Sequence, residues 1–247
     1  MAAAAWTAEL KVLLALLRGQ PSAGTHAERL EAFYAPQAGR YDAFRERLLH
    51  GRGELVADLI HAQAVPAGGH LVELGAGTGR NLLFFGDRLA ALAQVDAVDL
   101  CPSLVSEARR RTAAMANVRI HAADACRWQP EAPVDAVYLA YSLTMIPDWR
   151  AAIDNAIAML KPGGHLGLVD FYVSAAAPAP GLARHSALAR AFWPRWFRHD
   201  GVHLGPERLA SLRQSLPDHR LTEAMAPVPY LPGLRVPYYR FIGRKGG

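Results

Sequence analysis

Three glycines at alternate positions follow an acidic residue in the segment LVELGAGTGRN, residues 71–81. The glycines are Gly75, Gly77 and Gly79, and the acid is Glu73. Glycine turns let the backbone approach a ligand and adopt positive φ at little cost, and the amides that open a following helix attract anionic groups. The spacing differs from the dinucleotide fingerprint G-x-G-x-x-G. A carboxylate at Glu73 would repel a pyrophosphate but would receive an ammonium group.

A second acid, Asp99, lies at the end of the next apolar stretch, residues 94–100, and follows Gly75 by 24 residues. In nucleotide-binding βαβ units, an acid about 20 residues further on accepts hydrogen bonds from ribose hydroxyls. Asp99 is equally placed to cap a helix that begins near Pro102, and the two roles can coexist. The spacing favours a sugar contact without excluding the cap.

Polar residues also follow the third and fourth apolar strands, residues 118–121 and 134–140. Ligands of open parallel sheets bind beyond the carboxyl ends of the strands. Asp124 is therefore placed to accept from the exocyclic amine of a base, and Tyr141 and Ser142 to contact a cofactor or an acceptor. A packed linker explains residues 141 and 142 equally well. Asp170, Phe171 and Tyr172, at the end of the fifth strand, carry the same ambiguity.

The elements that position these residues alternate between short apolar strands and helices over residues 69–174. This pattern is typical of a parallel sheet with helices on both faces. Residues 1–62 are predicted to be helical, with one helix over 41–62 after a break at 36–39. Residues 175–247 are predicted to form an acceptor-side region. The predicted strands are 70–74, 94–99, 118–121, 134–140, 165–172, 220–226 and 237–243.

The composition allows one domain over residues 1–247, since 51% of the residues are apolar. The net charge of +5 fits an acidic substrate or an anionic membrane surface, and no pattern indicates nucleic-acid binding. Two cysteines without metal-ligand spacing predict neither a disulfide framework nor a metal site, and the default location is cytoplasmic. The apolar run 12–17 is too short to span a bilayer, so we expect a packed or membrane-resting helix there.

Taken together, the acid, the G-x-G-x-G turn and the acid at the end of the next strand resemble class I S-adenosylmethionine-dependent methyltransferases. The resemblance implies an α/β Rossmann-like fold with a mostly parallel seven-stranded sheet, helices on both faces and an N-terminal helical cap. It implies S-adenosylmethionine as methyl donor and S-adenosylhomocysteine as product. The cofactor-binding residues are then Tyr34, Tyr41, Glu73, Gly75, Ala76, Gly77, Gly79, Asn81, Asp99, Leu100, Asp124, Ala125, Tyr141 and Ser142.

The flanking segments resemble a narrower group, the betaine-lipid methyltransferases, which N-methylate diacylglyceryl-homoserine. The match covers most of residues 26–243 and leaves out the first 25 residues and the Ala/Pro-rich loop after Ser174. It implies an amino-lipid acceptor and, with it, peripheral contact with the inner membrane face. The segments that carry it are FY (33–34), YDAFR (41–45), LLHGR (48–52), SLTMIPDW (142–149), VDFYV (169–173), WPRWF (193–197), HDGVHL (199–204) and YLPGLRVPYY (230–239).

An ammonium acceptor must lose a proton before it can be methylated. Because alkyl amines titrate near the lysine reference value of about 10, a base or a desolvating site would help at neutral pH. The predicted catalytic set is His199, Asp200 and Tyr41, with His203 and Asp170 as further candidate bases. Each histidine is equally explained as a structural or exposed residue, and the Asp200-Gly201 pair as a turn.

A quaternary ammonium product is best held over aromatic faces, because it donates no hydrogen bonds. We expect Tyr34 or Tyr41 to fold over the cofactor, while many other aromatic residues fill the core. Arginines are candidates for an acceptor carboxylate or an anionic headgroup. The further aromatic candidates are Phe33, Tyr141, Tyr172, Trp193, Trp196, Tyr238 and Tyr239, and the arginines are Arg45, Arg52, Arg195 and Arg235.

Two other functions remain open at this point. The acceptor could be another small amine, lipid headgroup or metabolite, since the glycine turn specifies no substrate. The chain could instead be an inactive cofactor-binding subunit that activates a partner. The intact acids and glycines, Glu73, Gly75, Gly77, Gly79 and Asp99, argue against that second alternative.

Overall fold

The computed structural model describes residues 23–35, 46–229 and 233–247. Several predictions from the sequence lie outside these residues. They are the roles of Tyr41 and Arg45, the helix over the apolar run 12–17, and the break at 36–39.

Seven strands form one sheet in the order β3-β2-β1-β4-β5-β7-β6. Strands β1 to β5 are parallel, and β7 runs antiparallel to both β5 and β6. This confirms the predicted class I methyltransferase architecture. The strands are β1 His70–Leu74, β2 Gln94–Asp99, β3 Val118–Ala122, β4 Val134–Ala140, β5 Leu160–Phe171, β6 His219–Pro227 and β7 Arg235–Arg244.

Helices cover both faces of the sheet, because alternate residues of the central strands point to opposite sides. One face packs against α2 and the segment after β1, and the other against α4 and α6. Leu71 faces the first layer and Val72 the second. The α-helices are α1 His26–Tyr34, α2 Arg52–His61, α3 Pro102–Thr112, α4 Trp149–Met159, α5 Ala187–Arg198 and α6 Glu207–Ser215.

The segment after the glycine turn is helical, as expected, but it has 3₁₀ geometry and is irregular. Residues Arg80–Ala91 form 3₁₀ turns with a kink at Gly86, where φ is 54° and ψ is −137°. Such a backbone conformation interrupts a regular helix and is accessible mainly to glycine. The segment still buries Leu82, Phe85 and Leu89, so it covers the sheet as the apolar spacing requires.

The predicted helix over residues 41–62 is also corrected, because the chain leaves helical geometry at residues 49–51. Gly51 has a φ of 85°, and a methyl group there would lie 2.6 Å from Cε2 of Tyr238. A new helix, α2, then begins at Arg52. The break places Leu49 and Arg52 at the carboxyl end of the sheet, where both line a cavity.

Helix α1 docks on the first turn of α3. Its Leu30, Phe33 and Tyr34 pack with Cys101 and Leu104. Its first turn is closed by a capping box between Thr25 and Glu28. Within the three described ranges, no helix is long and apolar enough to cross a bilayer.

Candidate functional site

A cavity of about 290 Å³ lies beyond the carboxyl ends of β1, β2 and β4. Strands β1 and β4 are neighbours in the sheet but not in the chain, and such a switch point is where open α/β sheets bind ligands. Eleven of the residues predicted from sequence line this cavity, which we call the main cavity. They are Tyr34, Gly75, Ala76, Gly77, Asn81, Asp99, Leu100, Asp124, Ala125, Tyr141 and Ser142.

The three glycines of the turn have different roles, although all have positive φ: 72° at Gly75, 57° at Gly77 and 70° at Gly79. A side chain on Gly75 would overlap Cβ of Ser142. A side chain on Gly77 would meet no protein atom within 4 Å, and Gly77 lines the main cavity. Gly79 packs against Ala108 of α3 and does not line the cavity. Gly77 is therefore the glycine of the turn at which an added side chain would meet open space at the cavity wall.

Asp99 holds the glycine turn in place. Its Oδ2 accepts from the backbone N–H of Gly77 at 2.7 Å, and its Oδ1 accepts from the N–H of Cys101 at 2.9 Å. Burial raises the pKa of the Asp99 carboxyl above its usual range. Each carboxylate oxygen can accept more than one hydrogen bond, so these contacts leave capacity for ligand hydroxyls. The prediction that Asp99 caps α3 is wrong, because the N-cap is Cys101, whose own side chain makes no capping hydrogen bond. The predicted sugar contact stays a prediction.

We expect Asp99→Ala to weaken binding of the cavity's ligand by about 1–3 kcal/mol, because the variant leaves buried donors without an acceptor. Isothermal titration calorimetry would measure the loss. Glu131→Ala is the control, because Glu131 is exposed and does not line the cavity. Unchanged ligand affinity in Asp99→Ala would show that the carboxylate only braces the start of α3.

A carboxylate of helix α1 accepts hydrogen bonds at the start of α3. Oε2 of Glu31 accepts from the N–H of Ser103 at 3.0 Å and from Sγ of Cys101 at 3.1 Å. A carboxylate at a helix N-terminus is stabilised by the free amides and the helix dipole. This contact holds α1 over the cavity, with Tyr34 on its wall and the Tyr34 hydroxyl 3.1 Å from Sδ of Met145. We retain Tyr34 as the candidate that folds over a bound ligand.

Glu73 lies beneath the main cavity and not on its wall. Its carboxylate is fully buried and accepts from Nδ2 of Asn81 at 2.7 Å. Oδ1 of Asn81 in turn accepts from Nη1 of Arg52 at 3.1 Å. Both Asn81 and Arg52 line the cavity. Glu73 thus orients Asn81, and a ligand would meet the amide and the guanidinium of this chain of contacts.

Burial raises the pKa of Glu73 from 4.5 to about 7. The native state therefore binds this proton between pH 4.5 and 7 while the unfolded chain has released it, and wild-type stability falls as the pH rises through that window.

We expect Glu73→Gln, which keeps the acceptor for Asn81 and carries no charge, to be more stable than the wild type at pH 8. The gain is on the order of 3 kcal/mol and disappears below pH 4.5. Thermal unfolding of the ligand-free protein across this pH range measures the difference. The exposed Glu131→Gln is the control, and a gain of equal size at pH 4 would contradict the assignment.

The wall of the main cavity that follows β3 contains Asp124 and Ala125. Oδ1 of Asp124 accepts from the N–H of Cys126 at 2.9 Å, which fixes the carboxylate in the turn after β3. Asn155 holds the same turn, because its Nδ2 donates to the carbonyl of Ala125 at 2.8 Å. Asp124 thus has the position predicted from sequence, with its second oxygen available to an amine.

The loop after β4 forms the opposite wall. Tyr141 has a φ of 56°, a strained conformation for a bulky residue. Its hydroxyl donates to the carbonyl of His50 at 2.5 Å, and its N–H donates to the carbonyl of Val169 at 2.8 Å. Oγ of Ser142 donates to the carbonyl of Leu74 at 2.9 Å. Strain held by several hydrogen bonds is characteristic of functional sites.

A smaller chamber of about 20 Å³, room for about one water molecule, adjoins the main cavity. The two share Leu49, Tyr141 and Met145 as walls. The other lining residues include Phe171 and Phe197, whose ring centroids lie 4.8 Å apart, and Asp200. Among the described residues that line this small chamber, Asp200 is the one with a charged side chain.

The other described catalytic candidates do not line the small chamber. His199 is exposed and does not line the small chamber, and Tyr41 is outside the described residues. Asp170 is buried beneath the loop and lines neither cavity. It accepts from the N–H and the hydroxyl of Thr144 at 3.0 and 2.7 Å, and burial raises its pKa to about 6. Asp170 therefore positions the loop after β4.

Sequence reasoning missed several lining residues. His26, Cys101, Met145 and Asp148 line the main cavity, and Arg52 lines it too, where we had considered it only for an acceptor carboxylate. No local pattern identifies His26 or Cys101, since both depend on how α1 docks. Within the described part of the chain, no group of His, Cys, Asp or Glu side chains is arranged to hold a metal ion.

Comparisons with known proteins point to methyl transfer. Residues 71–164 match the family model described as a methyltransferase domain. The ubiquinone biosynthesis O-methyltransferase of Xanthomonas oryzae pv. oryzae is 29% identical over 198 residues, which are 78% of this chain and 81% of that protein.

Solved structures share the fold. The N-methyltransferase NodS of Bradyrhizobium japonicum, solved with S-adenosylhomocysteine, superposes with a TM-score of 0.62 at 17% identity and covers 91% of this chain and 100% of its own. Phosphoethanolamine N-methyltransferase 2 of Haemonchus contortus has a TM-score of 0.70 at 14% identity and covers 92% of this chain and 61% of its own.

Proposed function

We propose that this chain, a class I S-adenosylmethionine-dependent methyltransferase, N-methylates the amino headgroup of a lipid such as diacylglyceryl-homoserine. The observation that carries the proposal is the aromatic small chamber beside the main cavity, with Asp200 as its charged wall residue among those described. An ammonium ion is attracted both to a carboxylate and to aromatic faces.

The main cavity fits the cofactor, because the open side of Gly77 is a cradle that any side chain would fill. Asp99 would accept from the ribose hydroxyls and Asp124 from the adenine amine. Arg52 and Asn81 would contact the amino-acid end, with Glu73 behind them. When bound, S-adenosylmethionine supplies a methyl group activated by the positive charge on its sulfur. Since that carbon is already activated, the protein chiefly aligns the acceptor and excludes water.

In the small chamber, Asp200 would orient the ammonium group and receive its proton. A carboxylate is a weak base in water, but desolvation favours the neutral amine and carboxylic acid over the ion pair. The rings of Tyr141, Phe171 and Phe197 supply that desolvation. Their centroids are 4.5 Å apart for Tyr141 and Phe171 and 4.8 Å for Phe171 and Phe197. The same rings would hold a quaternary product, which donates no hydrogen bond.

A second candidate is O-methylation of a phenol, as the name of the Xanthomonas relative suggests. An aromatic chamber also suits a phenolic ring. However, the carboxylate of Asp200 attracts a cationic ammonium group before the reaction and gives no such attraction to a neutral phenol. The charge of Asp200 therefore favours the amine.

The decisive experiment supplies purified protein with S-adenosylmethionine and three acceptors in parallel. These are diacylglyceryl-homoserine, a water-soluble glyceryl-homoserine and a catechol, with mass spectrometry to count added methyl groups. We expect successive methylation of both amines and none of the catechol. Turnover of the catechol alone would establish the O-methyltransferase alternative. Cofactor binding without turnover of any acceptor would favour an inactive subunit.

A further inference from the structure

Helix α5 presents an apolar stripe to solvent. Leu188 is 77% exposed and Trp196 is 47% exposed, the two highest values among the large apolar side chains described. Phe192 lies between them, with its ring centroid 5.6 Å from that of Trp196. The spacing i, i+4, i+8 places all three on one face of the helix. We call these three residues the α5 stripe.

The charged residues of the segment that contains the stripe have one sign. The segment 181–199 contains four arginines and no acidic residue. They are Arg184, Arg190, Arg195 and Arg198. The side chains of Arg190 and Arg195 fold back on the helix, donating to the carbonyls of His185 at 2.5 Å and Ala191 at 2.7 Å. An apolar face flanked by arginines complements an anionic bilayer, where aromatic rings enter the interface and basic groups meet the headgroups.

A neighbouring face of α5 belongs to the small chamber. Phe197 lines that chamber, and Trp193 is buried beside it with the two ring centroids 5.8 Å apart. A bilayer against the α5 stripe would therefore lie beside the helix that carries Phe197 of the chamber.

We propose that the α5 stripe docks the enzyme on an anionic phospholipid surface. This inference rests on the proposed function, because a lipid acceptor is what would make docking on a membrane useful. The test of docking itself needs no acceptor. A protein partner or a second copy of the chain would also cover an apolar face. The absence of acidic residues from the segment 181–199 favours the membrane over either of them.

The test is flotation of the full chain with vesicles of phosphatidylcholine, with or without phosphatidylglycerol. We expect binding to the anionic vesicles only, weakened by salt. In Leu188→Ser/Trp196→Ser, binding should fall about tenfold or more, because the apolar contribution is lost. The matched control is Met225→Ser/Leu234→Ser, which removes exposed apolar side chains elsewhere. For charge, Arg195→Gln/Arg198→Gln is compared with Arg119→Gln/Arg127→Gln.

Equal vesicle binding by the α5 variant and its control would overturn the proposal, as would an absence of binding by the wild type. A dimer that dissociates in the α5 variant, without vesicle binding, would assign the stripe to a second copy. Turnover of the water-soluble glyceryl-homoserine should be unchanged in Leu188→Ser/Trp196→Ser. Vesicle binding that persists in an enzyme inactive on every amine would reject the proposed acceptor and leave the docking surface standing.

Discussion

Gly77→Val is expected to abolish cofactor binding, raising the dissociation constant more than about a thousandfold, or roughly 4 kcal/mol. The reason is geometric. A side chain at this position meets no protein atom within 4 Å and would extend into the main cavity. The valine methyl groups would occupy space that the cofactor needs against the backbone of the turn. Isothermal titration calorimetry with S-adenosylhomocysteine measures the effect.

The effect of backbone strain must be separated from the steric exclusion of the cofactor. The φ of Gly77 is 57°, and a β-branched residue is strained there. Gly68 offers the matched control. Its φ is 71°, a side chain there also meets nothing within 4 Å, and it lies before β1, away from the main cavity. Gly68→Val should show a similar loss of stability with wild-type affinity. Equal losses of affinity in both variants would mean that the turn does not face the cofactor.

The strands were predictable because each is an apolar run bounded by turn residues. Bounds for β1, β2 and β4 agree with the sequence to the residue. The prediction failed where distant packing decides the backbone. Gly51 interrupts the expected helix because Tyr238, nearly the whole chain away, leaves no room for a side chain. Likewise, Gly86 breaks a helical apolar pattern that periodicity alone would continue.

The candidate site also contains residues that the sequence predicts and residues that depend on distant packing. Asp99 ends β2 and Asp124 lies in the turn after β3, so the alignment of parallel strands brings them to one edge of the sheet. Glu73 shows the limit of this reasoning, because its position on β1 gives no sign that Asn81 lies between it and the cavity. The small chamber joins Leu48, Phe171 and Phe197 from three separate segments. Only the packing of α5 against the end of β5 brings these residues together, and no spacing rule predicts it.

The methyl donor is proposed for the main cavity and the acceptor's amine for the small chamber, so the wall between the two cavities would separate donor from acceptor. Tyr141 is a wall of both, and its positive φ is held by contacts to His50 and Val169. Asp170 fixes the same loop from below through Thr144. Substitutions on the acceptor side should therefore change turnover without changing affinity for the cofactor, provided that they leave this loop intact.

Asp200→Asn is expected to lower kcat for an amine acceptor about 100- to 1,000-fold, the usual contribution of a general base. Affinity for the cofactor should not change, because Asp200 lines the small chamber and not the main cavity. The loss should shrink as the pH approaches the amine reference value of about 10, where the acceptor is already deprotonated in solution. A purely structural role for Asp200 would give no such recovery.

The neighbouring His199→Gln is the comparison that decides between the two adjacent candidates. His199 is exposed and outside the small chamber, so we expect kcat within about twofold of the wild type, the behaviour of a surface position. Steady-state kinetics from pH 7 to 10 and calorimetry on both variants complete the test. A large, pH-dependent loss in His199→Gln with near-normal turnover in Asp200→Asn would transfer the base from the carboxylate to the imidazole. The acid in the chamber would then no longer distinguish an amine acceptor from a phenol.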